Sequence, residues 1–246
     1  MAGEVLGIDV GGSSVKAGLV DLKAGRLAGE LIAAPTPRPS TPVAVTNVLA
    51  ALAGRLPAST GRVGVAFPSV IKEGTAYTAA NIDAAWVGTD GASLASQALG
   101  RAVLFLNDAD AAGLAEMRWG AGRGCKGTVV MLTFGTGIGS ALFIDGILVP
   151  NTEFGHIEIR GKDAEKRASE RAREVHDLDW AHWAGLVDEY MSHLEALLWP
   201  DLFIVGGGVS RKADKFLPLL EGLSARVVPA KMHNDAGIVG AALTGA

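Results

Sequence analysis

Two stretches, half a chain apart, each run from a β-favouring segment into a loop of glycine and hydroxyl residues and back along a second β-favouring segment. In the first, Val5-Leu6-Gly7-Ile8-Asp9-Val10 reaches Gly11-Gly12-Ser13-Ser14, and Val15 to Asp21 returns. In the second, Thr128 to Phe134 enters Gly135-Thr136-Gly137-Ile138-Gly139-Ser140, and Ala141 to Gly146 leaves it. Glycines at such turns leave backbone N–H groups uncovered, so a polyanion can approach closely, and Ser13, Ser14, Lys16 and Thr136 add donors. Asp9 beside the first loop would repel a phosphate unless a cation lay between them, which suggests Mg²⁺ held through water. A plain glycine-rich hairpin accounts for either stretch alone. Their repetition favours two similar lobes, each offering one phosphate-binding hairpin (Gly11 to Ser14 with Lys16; Gly135 to Gly137) to a shared cleft.

With 246 residues, 49% of them hydrophobic and 20% charged, the chain has apolar material for one large or two small domains. No apolar run approaches the ~20 residues that span a bilayer, and no basic-then-apolar leader precedes Val5, so the expected location is the cytoplasm. A formal net charge of −4 argues against a general nucleic-acid binder. The single cysteine, Cys125, excludes an internal disulfide and a multi-cysteine zinc site.

Between the loops, Leu27 to Ala34 reads as a third antiparallel strand, and Pro35, Pro37, Pro39 and Pro42 as a stiff spacer. Thr41 caps a helix over Val43 to Leu56, which Pro57 ends. Arg62 to Phe67 is a buried strand stopping at Pro68-Ser69, Ala79 to Asp83 a polar loop, and Ser93 to Leu99 a helix. Ala102 to Leu106 is a second buried strand delivering Asn107-Asp108 to a helix over Ala109 to Trp119. Further on, Lys162 to Glu174 reads as a solvated helix, Asp177 to Leu198 as a helix with an apolar stripe, and Asp201 to Val205 as a strand meeting Gly206-Gly207-Gly208 and another helix. Leu223 to Pro229 is the last strand, and Asp235 to Leu243 a small-residue helix crossing between lobes. The expected domains are residues 1–108 with 235–246, and residues 109–234.

Ligands of open α/β sheets gather outside the carboxyl ends of the strands, so Asp9, Ser69 and Asp108 are expected to converge. Helix capping by Asn107, Asp108 or Asp110 is an equal account of that cluster. In Glu153-Phe154-Gly155-His156-Ile157-Glu158-Ile159 an extended backbone puts His156 and Glu158 on one face and the isoleucines on the other. A histidine beside glutamates after a phosphate loop suits hydroxyl binding. Gly206-Gly207-Gly208 opening a helix admits a nucleotide or phosphate, or is simply a tight strand-to-helix turn. Neither a P-loop nor a dinucleotide fingerprint occurs.

Taken in order over essentially the whole chain, both glycine loops, Asn107-Asp108, Glu153-Phe154-Gly155-His156 and Gly206-Gly207-Gly208 resemble the sugar kinases of the ROK family, within the actin and hexokinase-like superfamily. The resemblance implies a two-lobed, ribonuclease H-like α/β fold with a cleft between the lobes. It implies Asp108 as general base, Asn81, Asn107, Glu153 and His156 around the sugar, and the glycine loops on the phosphoryl donor; Ser69, from its strand end, is expected beside the sugar and Asp9 on Mg²⁺. A further family glutamate follows a zinc-binding cysteine cluster and precedes an Ala-Ser pair; Glu165-Lys166-Arg167-Ala168-Ser169 is similar, which points to Glu165. The cysteines are absent, so residues 157–164 are expected to be held without structural zinc. That absence, the short chain, Pro68-Ser69 and the run from Gly161 to Ser169 look like the polyphosphate glucokinase branch, which includes polyphosphate/ATP glucomannokinases. For a polyphosphate donor Arg118, Arg123, Lys126, Arg160, Lys162, Lys166 and Arg167 offer a basic track, with ordinary surface charge an equal account of each.

The implied activity is transfer of a terminal phosphoryl group from inorganic polyphosphate or ATP to the 6-hydroxyl of glucose, and of mannose, by a monomer or homodimer. A strictly ATP-dependent kinase for another hexose or amino sugar is the alternative within the family. A sugar-sensing repressor is a third reading, set against by the few residues ahead of Val5 and by Asp108.

Overall fold

A computed structural model describes residues 4–59 and 61–246, which form two compact units, Met1–Ala115 with Asp235–Ala246, and Glu116–Asn234. The first division falls inside a helix, seven residues beyond the expected cut at 108, and the second falls at the expected 234/235 junction.

Unit 1 is built on β1 (Val5–Val10), β2 (Ser14–Asp21), β3 (Arg26–Leu27), β4 (Ile32–Pro35), α1 (Pro42–Ala53), β5 (Val63–Phe67), β6 (Ile71–Lys72), β7 (Thr75–Ala76), α2 (Gly91–Leu99), β8 (Val103–Asn107) and α3 (Asp108–Trp119). Its main sheet has the order β3-β2-β1-β5-β8, with β4 also on β2. The pairs β1/β2, β2/β3 and β2/β4 are antiparallel, whereas β1/β5 and β5/β8 are parallel, so the ends of β1, β5 and β8 lie side by side. Alternation puts Leu6, Ile8 and Val10 into a core with Leu49, Leu52 and the Phe67, Trp86, Phe105 aromatic group.

Unit 2 holds β9 (Thr128–Phe134), β10 (Ile138–Ile144), β11 (Ile147–Val149), β12 (Glu158–Ile159), β13 (Lys162–Asp163), α4 (Glu165–Ala168), α5 (Glu170–Val175), α6 (Trp180–Leu198), β14 (Leu202–Gly206) and β15 (Arg226–Pro229). Its sheet order is β11-β10-β9-β14-β15, again two antiparallel pairings followed by two parallel ones. Phe134, Trp183, Tyr190 and Phe216 interlock edge-on in its core, where such contacts each add about 0.5–1.5 kcal/mol beyond area burial.

The closing helix, α7 (Ala236–Thr244), belongs to unit 1 and packs on its sheet at Gly7 and Gly64, which carry no side chain. A Cβ on Gly7 would lie 2.1 Å from the Ile238 carbonyl oxygen, and one on Gly64 1.7 Å from that of Ala241. Those glycines are therefore required for the approach of the helix, which lies against the sheet of unit 1.

Several boundaries depart from expectation for local reasons. The first helix stops at Ala53, because Gly54 bonds back to Ala50 and Leu52 before Pro57 is reached. The expected third strand is two short ones, β3 and β4. Lys162 to Glu174 is no single helix: β13 is followed by α4, and Ser169, extended at ψ 160°, ends α4 and caps α5 by accepting from Ala172 N. After Gly206-Gly207-Gly208 the chain forms 3-10 turns kinked at Lys212 instead of an α-helix.

Candidate functional site

In unit 1 three strand ends deliver the expected residues. Asp9 is the penultimate residue of β1, directly across from Lys16 on β2 and Ala66 on β5. It shares a sheet face with Gly7, the face that α7 covers, and a Cβ on Gly237 would lie 2.9 to 3.1 Å from its carboxylate. Asp108 follows directly on β8. Burial, then the charge of Asp108, raises the Asp9 pKa to about 6 against a smaller opposing pull from Lys16. Burial likewise raises Asp108, against hydrogen bonds from its local backbone. Two acids that each resist ionisation beside one another fit a site that receives a cation and a proton.

Asn107 is buried and its side-chain oxygen accepts from Ala109 N at 2.9 Å and Asp110 N at 3.1 Å, capping α3. Its amide donates to the Ser69 carbonyl at 3.1 Å. Ser69 is itself buried, its hydroxyl on the Thr78 carbonyl at 2.8 Å. Both residues thus brace the strand ends by way of these bonds, and Asp108 keeps one oxygen on Ala109 N at 2.8 Å. Asn81 lies exposed on the loop after β7.

The first hairpin turns through Gly11 N to Ser14 O at 3.0 Å, and among the described residues the N–H groups of Gly12 and Ser13 have no protein acceptor. Thr36, which sequence reading passed over inside the proline spacer, pins this loop: its hydroxyl donates to Gly11 O at 2.6 Å and its N–H to Ser13 O at 3.1 Å. Its only sequence signal is a hydroxyl residue between two prolines.

In unit 2 the second hairpin closes in the same way, Gly135 N donating to Gly137 O at 3.0 Å, with the Thr136 and Gly137 N–H groups lacking a protein acceptor among the described residues. Glu165 opens α4 and its Oε2 accepts from Ile138 N at 3.2 Å, so close to Gly137 that a Cβ there would meet it. Glu153 precedes a 3-10 turn, Phe154–His156, held to β10 through Phe154 N on Ser140 Oγ at 3.0 Å. The extended segment expected from His156 begins only at Glu158, because His156 closes this turn. His156 stands between carboxylates, Nε2 at 3.7 Å from Glu153 and Nδ1 at 3.7 Å from Asp163, and Asp163 pairs with Lys166 at 3.1 Å. The Lys166 hydrogen bond leads in holding the Asp163 carboxyl below its ordinary range. His156, Asp163 and Glu165 are close enough to share a metal ion, but the Lys166 ammonium already answers the Asp163 charge. The β12/β13 ladder and the bond from Ala164 N to Ile157 O hold residues 157–164 by the backbone.

Of the three glycines at the end of β14, Gly206 is buried against Met131, and Gly207, at φ +82°, lies on Phe134 so that a Cβ would meet its carbonyl oxygen at 2.2 Å. Gly208 alone is exposed, with Glu170 on one side. The expected basic track is largely committed elsewhere: Arg160 and Arg167 bind Glu189 at 2.6 and 2.8 Å, and Arg118 lies over Trp119.

Duplicated sheets, each tipped by a glycine hairpin and one carrying acids at its strand ends, define the sugar-kinase form of the actin and hexokinase-like fold. The chain belongs to the ROK family, whose model matches residues 5–174. It is 51% identical to a polyphosphate glucokinase of Mycobacterium tuberculosis over 96% of this chain and 89% of that protein. The crystal structure of an inorganic polyphosphate/ATP-glucomannokinase from Arthrobacter sp. strain KM superposes with a TM-score of 0.95 at 51% identity, covering 98% of this chain and 97% of the other. A ROK family glucokinase from Streptomyces griseus, in complex with glucose and AMPPNP, gives a TM-score of 0.85 at 27% identity over 99% of both chains.

Proposed function

We propose that this chain is a phosphotransferase that moves the terminal phosphoryl group of inorganic polyphosphate or ATP onto the 6-hydroxyl of glucose. Similarity to polyphosphate glucokinases over nearly the whole chain supports the donor and the acceptor. Asp108 supports the chemistry: a carboxylate whose pKa burial raises is a stronger base near neutral pH than an ordinary one. It takes the proton from the sugar hydroxyl as that oxygen attacks phosphorus, and the shortened donor leaves with the bonding electrons. Phosphoryl transfer otherwise asks mainly for alignment and charge neutralisation.

Mg²⁺ suits the paired acids Asp9 and Asp108, whose mutual repulsion a dication would relieve, and when bound it would neutralise donor charge. Asp9, with Lys16 opposite it on β2, would hold that ion. The free N–H groups of Gly12, Ser13, Thr136 and Gly137 receive phosphate oxygens, helped by the hydroxyls of Ser13, Ser14 and Thr136. Glu153, His156 and Glu165, with Asn81, take the sugar hydroxyls; Asn107 and Ser69 hold Asp108 in place. Gly208 borders the nucleotide. Mannose, which presents the same 6-hydroxyl, is a second acceptor.

A coupled assay crossing glucose and mannose with ATP and nucleotide-free polyphosphate tests this reading. Sugar 6-phosphate is expected from both donors with glucose; none from polyphosphate would return the chain to a strictly ATP-dependent kinase.

A further inference from the structure

Behind the Gly206-Gly207-Gly208 turn of unit 2 lies a cavity of about 610 Å³, lined by Ser210, Arg211, Arg226, Lys231 and His233 among others, with no carboxylate in its wall. None of Arg211, Arg226 and Lys231 has a carboxylate partner within 4.0 Å among the described residues, although the whole chain is net acidic at −4. Among the described residues the Arg226 guanidinium makes one side-chain hydrogen bond, to the Cys125 sulfur at 4.0 Å. Three cations left together at one cavity repel one another unless an anion joins them.

The cavity is also held in shape from behind. Glu116, wholly buried, accepts from Ala121 N through Oε2 and from Met232 N through Oε1, both at 2.6 Å. Ala121 is one wall, and Met232 stands between Lys231 and His233 on the other. One buried carboxylate therefore fixes both walls by their backbones. Each of its oxygens accepts from one of those two N–H groups.

The glycine turn links the cavity to the phosphate hairpin within the same unit. Gly207 presses on Phe134, the residue before Gly135, and Ser210 donates to Gly207 O at 2.8 Å on the cavity side. On another side Gly208 faces Glu170, where a polyanion would be repelled. We infer that this cavity is a subsite for inorganic polyphosphate, gripping phosphates that trail behind the reacting end held at Gly135 to Gly137. This rests on the proposed polyphosphate-dependent activity and adds to it a place for the rest of the chain.

The test compares parent protein with the doubly neutralised variant Arg211→Gln, Lys231→Gln, both exposed positions, on long-chain polyphosphate, tripolyphosphate and ATP with glucose. Loss of charge-assisted bonds is expected to raise KM for long-chain polyphosphate about tenfold or more, leaving KM for tripolyphosphate and ATP within about twofold. Without sugar, the affinity of the parent for long-chain polyphosphate is expected to fall more steeply with salt than that of the variant. An unchanged KM for the long chain overturns the subsite. An equal rise in KM for ATP also overturns it and assigns the cavity to the nucleotide. If the parent makes no sugar phosphate from any polyphosphate, the activity itself fails, and this subsite with it.

Discussion

The two units share one strand plan and differ in what they set on it. By register, Asp9 in β1 corresponds to Thr133 in β9, and Lys16 across from Asp9 to Gly139 across from Thr133. Gly7 and Gly64, paired in unit 1, correspond to Met131 and Ile204, paired in unit 2. At the end of the last strand of each parallel trio, Asn107-Asp108 corresponds to Lys231-Met232. Unit 1 carries no side chain at these two positions, so that α7 closes on it beside Asp9, and it carries two acids at its strand ends. Unit 2 carries bulk at both positions and has cations at and beyond its last strand. On the proposed function one scaffold would serve two tasks, proton and metal handling in the first unit and reception of an anionic donor in the second.

Removing the acid should break the asymmetry most. Asp9→Asn is expected to lower kcat on the order of 10²-fold at saturating Mg²⁺, measured by the coupled assay with ATP. Next comes the helix contact. Gly64→Ala drives a Cβ into the Ala241 carbonyl and is expected to cost about 3 kcal/mol in urea unfolding, whereas Ile204→Val at the corresponding place should cost only about 1 kcal/mol. Equal costs would remove the packing half of the comparison.

Acid titration sharpens it further. Asp9 takes its proton at about 6 when folded against 3.8 for the free group, so between these values the folded state binds more protons and stability falls as pH rises. In the absence of Mg²⁺, Asp9→Asn is therefore expected to gain roughly 2 kcal/mol over the parent at pH 8, after allowance for partial exposure, and little at pH 4. Mg²⁺ affinity of the parent should weaken below pH 6, where the proton competes. The smallest effect belongs to unit 2: Asp163→Asn removes the link between His156 and Lys166 and is expected to raise KM for glucose a few-fold with kcat nearly unchanged.

The sheets and both hairpins were legible because alternation and paired glycines act locally. The placement of Asp9 and Asp108 was legible because both lie where parallel strands end. What escaped depends on chain segments far apart in sequence. Thr36 looked like part of a spacer, yet it clamps a loop more than twenty residues away. The reason for Gly7, Gly64 and Gly237 lies in a helix that comes last in the chain. Arg160, Arg167 and Lys166 read as open charge, but Glu189 and Asp163 answer them, while the cations that do line a cavity come from segments apart in sequence. For the cap of α3 the sequence offered Asn107, Asp108 and Asp110 alike, and the fold puts the Asn107 oxygen on Ala109 N and Asp110 N.

The account turns on one proton acceptor in unit 1. Single-turnover formation of glucose 6-phosphate by Asp108→Asn, with glucose binding measured separately, tests this most directly. The expected result is a rate lowered by about 10²–10⁴ with sugar affinity retained. Transfer at the parent rate would contradict it.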